Sequence, residues 1–122
     1  MPYAQWMQVL GICFAGTSTA QRPSMSAFVG DVLGLPVRTV DGVEADLFAL
    51  PDGSSFAVAS PGGMGDSARS LGFLVASLDE AIAELHAAGV ATDAPAVNSR
   101  ERYVHFTAPD GHLYELVERI NH

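Results

Sequence analysis

The chain has 122 residues, enough for one domain or two half-size modules sharing a core, and its 48% apolar fraction excludes disorder. Six arginines and no lysine face fourteen acidic residues, a net charge of −8 that excludes nucleic acid and anionic membranes as partners and favours neutral or cationic ligands. Without lysine there is no Schiff-base or Walker-type chemistry, and a single cysteine, Cys13, rules out an internal disulfide.

No apolar run approaches membrane-spanning length and the N-terminus lacks the basic start of a signal peptide, so a cytoplasmic location is expected. Trp6 reads as an anchor for the N-terminal tail. From Gln8 to Ala15 the residues alternate, Leu10, Ile12 and Phe14 on one face and Val9, Gly11 and Cys13 on the other. That is a strand with both faces covered. The polar segment Gly16–Arg22 follows, an insertion placed to form part of a cavity mouth. Pro23 then suits the first turn of a helix that turns Met25, Phe28, Val29, Val32 and Leu33 inward and stops at Gly34. Arg38–Val40 and Glu44–Leu50 read as strands joined at Asp41-Gly42, and Ser54–Ala59 as a third strand after a Pro-Asp-Gly turn.

The stretch 61–69 is glycine-rich and reads as a linker. Gly63-Met64-Gly65 with Ala68 matches a dinucleotide fingerprint only nominally, because a strand follows where a helix is needed. The second half then repeats the order of the first. Ser70–Val75 is a strand, with Ser70, Gly72 and Leu74 facing opposite to Leu71, Phe73 and Val75. Ser77 and Glu80 form a capping box opening a helix that buries Ala81, Ile82, Leu85 and Ala88 and stops at Gly89, with His86 on its solvated side. Strands are expected near Ala96–Asn98, Arg102–Thr107 and Leu113–Val117, and Arg100, Glu101 and Arg102 as a solvated turn. FALPDG at Phe48–Gly53 returns as FTAPDG at Phe106–Gly111, so the chain reads as one unit written twice.

This pattern resembles the vicinal oxygen chelate superfamily, which includes glyoxalases, extradiol dioxygenases and bleomycin resistance proteins. The phrase that carries the resemblance is Ala108-Pro109-Asp110-Gly111-His112-Leu113-Tyr114-Glu115-Leu116, with Ala108 replacing the superfamily's first Asp. Asp31-Val32-Leu33-Gly34-Leu35 adds to it. The resemblance implies an α+β fold in a single domain: two βαβββ modules, about 8–60 and 70–119, forming a curved mixed sheet, an incomplete barrel, around a cavity, usually in a homodimer. It also implies metal-holding positions at Val9, Ala57, Ser70 and Glu115. Of these only Glu115 is a ligand type, so no cofactor is expected, with a divalent metal relocated to His105 and Glu115 as the alternative.

Strand parity places Val9, Gly11, Cys13, Ala57, Ser70, Gly72, Leu74, Leu113 and Val117 as an apolar cavity wall, with Tyr103, His105 and Glu115 as its polar contacts. The leading expectation is a metal-independent binder of a small apolar, aromatic or cationic molecule, resembling the superfamily's drug-sequestering branch. The alternative is a lyase, isomerase or dioxygenase-like enzyme in which Glu115 and His105 hold a relocated metal or act as an acid–base pair. A third reading is a partner-binding module with a vestigial cavity.

Overall fold

A computed structural model describes residues 7–62 and 69–120. Trp6 and the Gly63-Met64-Gly65 motif lie outside them. The elements in chain order are β1 (Val9–Ser18), α1 (Arg22–Ala27) running into a π-helical turn (Phe28–Val32), β2 (Asp46–Ala49), β3 (Ser55–Ala59), β4 (Arg69–Val75), α2 (Leu78–Ala87), β5 (Ala96–Val97), β6 (Glu101–Thr107) and β7 (Leu113–Arg119). The strands form one mixed sheet in the order β2-β3-β1-β4-β7-β6-β5. β1 pairs parallel to β3 and β4 parallel to β7, while β1 and β4 meet antiparallel at the centre. This is the expected α+β architecture, a curled half-barrel with two helices. No helix among the described residues is long and apolar enough to cross a membrane.

The duplication reaches individual hydrogen bonds. Asp52 and Asp110 each accept from the backbone N–H two residues on, at 2.9 and 3.0 Å, and Gly53 and Gly111 take φ of +88° and +83°. Asp closing its own turn before a positive-φ Gly is the local reason both hairpins form. Each half also has its own core. Val29, Phe48 and Val58 close the first, whereas α2 closes the second by packing Leu78 and Ala81 on Val75, Val104 and Leu116.

Four local expectations need correction. In the first half, the strand expected at Arg38–Val40 is reduced to a single bridge between Val37 and Phe48. Ala49 N donates to Pro36 O and Arg38 N to Leu47 O, each at 2.8 Å, and past Arg38 the chain leaves the sheet, so that Val40 lines the cavity. In the first helix, Leu33 N bonds Phe28 O at 3.0 Å, and this wide turn rotates the apolar stripe. Val29 is buried while Val32 and Leu33 stay exposed. Ala88, at the frayed end of α2, is exposed too. Finally, β1 is not covered on both faces within one chain: Val9, Leu10 and Ile12 are each more than half exposed.

Candidate functional site

The concave face is set by register. Reading across the sheet, Ser55, Phe14, Gly72, Glu115 and His105 stand side by side on β3, β1, β4, β7 and β6. Strand alternation then puts Ala57, Tyr103 and Glu101 on the same face. All of these except Gly72 line a cavity of about 360 Å³ between the sheet and the segment Val40–Leu47. That segment is tied to the far wall at the Asp41-Gly42 turn. There Asp41 N donates to Ser99 Oγ at 3.1 Å, and Ser99 N donates to Asp41 O at 3.3 Å.

Of the residues assigned to the wall from sequence, Ala57, Tyr103, His105 and Glu115 line this cavity. The structure does not bring the others to it. Val9 and Gly11 are exposed at the far end of β1, Cys13 and Val117 are buried in the sheet, and Leu74 lies beyond Gly72 opposite Gly11. Ser70 and Leu113 line a separate groove at the strand ends, with Arg69 and His112. Gly72 sits beneath Phe14: a Cβ there would lie 2.9 Å from Phe14 Cβ. For the β1 residues the physical reason is a pair of irregularities in that strand, one between Val9 and Gly11 and one between Ile12 and Phe14. The second interrupts the alternation, so Phe14 joins the concave face despite its expected place with Leu10 and Ile12.

At the polar side of the cavity His105 is held at both ring nitrogens. Nδ1 meets Asp93 Oδ2 at 2.8 Å and Nε2 meets Glu115 Oε2 at 3.1 Å. Asp93 also accepts from His105 N at 2.7 Å, and its own N–H donates to His105 O at 3.1 Å, which fixes the ring from the main chain. With an acceptor on each side, the imidazole carries both protons. The bond to Glu115 is the main cause that lifts its pKa to about 9, against the opposing effect of burial, with Asp93 adding to the rise. Burial pushes the Cys13 thiol up to about 11, so it stays a protonated thiol.

Sequence reading missed several wall residues. Glu101 was assigned to a solvated turn, yet it opens β6 and faces the cavity, and burial raises its pKa. The parity of Tyr103 and His105 pointed to it. Arg22 lines the cavity as well, its charge closed by two 3.0 Å bonds to Asp46, which Ser26 also binds at 2.6 Å. Nothing in the local sequence announced the Arg22–Asp46 pair, because it joins residues 24 apart.

The donor set does not fit the metal that the resemblance implies. Val9 stands far along β1 from Glu115, Ala57 offers no ligand atom, and the Ser70 hydroxyl is buried without a partner among the described residues. Glu115 is already bonded to a cation, His105. Among the described residues no group of three or more His, Cys, Asp or Glu side chains is arranged to hold an ion.

No protein-family model matches the chain, and no curated protein matches it. Solved structures do. Methylmalonyl-CoA epimerase from Mycobacterium tuberculosis superposes with a TM-score of 0.76 at 18% identity, over 98% of this chain and 94% of that one. A glyoxalase/bleomycin resistance protein/dioxygenase superfamily member from Vibrio splendidus 12B01 gives 0.61 at 17%, covering 93% and 99%. The Mn(II)-bound glyoxalase from Novosphingobium aromaticivorans gives 0.71 at 21%, covering 92% of this chain and 40% of that longer one. With the duplicated turns, the mixed half-barrel and these superpositions together, the chain has the vicinal oxygen chelate fold.

Proposed function

We propose that this protein binds a small molecule in its concave cavity without a metal, resembling the drug-sequestering branch of the superfamily whose fold it has. The observation that carries the reading is the Asp93–His105–Glu115 chain. It gives the one acid kept at a metal-holding position an internal cation, so that the carboxylate, only 13% exposed, is neutralised without an ion. The remaining wall, with Phe14, Leu47, Ala57 and Ala59 beside a few polar groups, has the mixed lining of a ligand pocket. The ligand's body is accordingly apolar or aromatic. The test is a thermal-shift panel of small aromatic molecules on chelator-treated protein. Binders raise the midpoint by mass action; stabilisation that appears only after a divalent cation is added contradicts the reading.

The second reading is acid–base catalysis by Glu115 with His105, and the raised pKa of cavity-facing Glu101 is the observation in its favour. Against it, an imidazolium with both N–H groups engaged has no lone pair to accept a proton. Turnover of a panel compound that is lost in Glu115→Gln decides for the enzyme.

We also propose that the chain is a homodimer. Its support is the run of apolar side chains left open on the central strands, Val9, Leu10 and Ile12 on β1 and Leu71 on β4.

A further inference from the structure

The charges around the cavity are unevenly committed. Arg22 is closed by Asp46, and His105 by Asp93 and Glu115. Arg100 also lines the cavity, but its guanidinium forms no ion pair among the described residues. Two more guanidiniums stand behind the wall at this end. Arg38 Nη1 donates to Ser55 Oγ at 2.8 Å and to Gly53 O at 3.2 Å, and Arg119 Nη2 reaches the same carbonyl at 3.4 Å. Arg119 Nε is buried with no acceptor among the described residues.

Three of the chain's six arginines therefore gather at one end of the cavity, around the carboxyl of Glu101, which pairs in register with Arg119, while Asp52 also feels Arg119 and Glu44 lines the same cavity. The arginines' interaction is visible on Arg38, whose pKa is lowered first by burial and then by Arg100, with Glu101 opposing and Arg119 adding to the fall. Arg38 and Arg119 direct their guanidiniums to Ser55 Oγ and Gly53 O, which leaves Arg100 as the cavity-lining guanidinium without an ion pair among the described residues. A half-buried guanidinium with no carboxylate in salt-bridge contact is costly until a counter-charge arrives, and the cavity-lining member of the group is Arg100.

We propose that this end of the cavity is an anion subsite, in which Arg100 binds a carboxylate or phosphate group on the small molecule that the cavity takes up. The inference rests on the binding reading above and names the ligand class: an anionic aromatic or apolar molecule, in place of the cationic one suggested by the overall charge. Arg38 and Arg119 act as positioning residues that set the field and do not touch the ligand. A planar guanidinium offers parallel donors to either oxyanion, so both are kept as arms of the test.

The experiment is calorimetric titration of the full chain with four bicyclic probes of one shape: naphthoate, naphthyl phosphate, naphthamide and naphthylmethylamine. The subsite predicts that naphthoate or naphthyl phosphate binds most tightly, whichever of the two wins naming the oxyanion. It also predicts that Arg100→Gln weakens that probe by at least about tenfold while naphthamide changes little. Rising salt should weaken the anion and spare the amide, a readout on the unmutated protein that does not depend on how the variant folds. Equal or tighter binding of the amide or the amine overturns the subsite and leaves the binding reading standing, as does an anion affinity indifferent to both salt and Arg100→Gln. Silence of all four probes overturns the binding reading and the subsite with it.

Discussion

A side chain on residue 72 would have to place its Cβ 2.9 Å from Phe14 Cβ, 3.3 Å from Val117 Cγ2 and 3.5 Å from Glu115 Oε1. Two of those neighbours are anchored on adjoining strands close to the backbone, so they have little room to give. Gly72→Ala is expected to cost about 1–3 kcal/mol, measured by urea unfolding, and to weaken ligand binding as Phe14 is driven into the cavity. His105 supplies a second prediction. Its folded pKa of about 9 lies above the ordinary imidazole value of 6.5, so the folded state holds a proton that the unfolded chain has released between those values. The stabilisation is therefore complete below about 6.5 and is lost as pH rises through about 9. Unfolding free energy measured against pH should decline across that window, and His105→Gln should flatten the decline.

At the scale of elements, the second helix is held at its start by two hydrogen bonds of different range. Ser77 Oγ accepts from Glu80 N at 3.3 Å, as the capping-box pattern predicts, but the Leu78 N–H goes to Glu118 Oε1 at 2.7 Å, a bond across the sheet that no local pattern announces. Ser77→Ala should cost about 0.5–2 kcal/mol in a thermal or urea melt. The same contrast explains what the sequence made legible. The Pro-Asp-Gly turns, the glycine stops and the helical spacing are encoded within a few residues, and they led to the right architecture. The cavity wall depends on β1 breaking its alternation near Cys13, and the alternation itself gave no sign of that. Parity was reliable on β3 and β6, which run without irregularity, so Ala57, Tyr103 and His105 were placed on the cavity face. It failed from Ile12 onward, where Phe14 takes the space above Gly72. Asp93, the anchor of His105, lies 12 residues away outside any strand, and only the folded sheet brings the two together.

At the scale of the molecule, the half-barrel leaves apolar side chains open on its central strands, with Ile12 55% and Leu10 56% exposed. Sedimentation of the purified chain should show a dimer, and Ile12→Asp should shift it to monomer, because an unpaired carboxylate is strongly disfavoured in an apolar interface. A monomer at all concentrations would remove the dimer from the account. Across the whole cavity, the acid that the resemblance places at a metal-holding position, Glu115, is neutralised from within by a doubly held imidazolium. Nitrogen NMR of the His105 ring in chelator-treated protein near neutral pH measures this directly. The account predicts that Nδ1 and Nε2 are both protonated and that both signals stay in place when zinc or manganese is added in stoichiometric amount. A bare Nε2 that shifts on adding one equivalent of metal would contradict it.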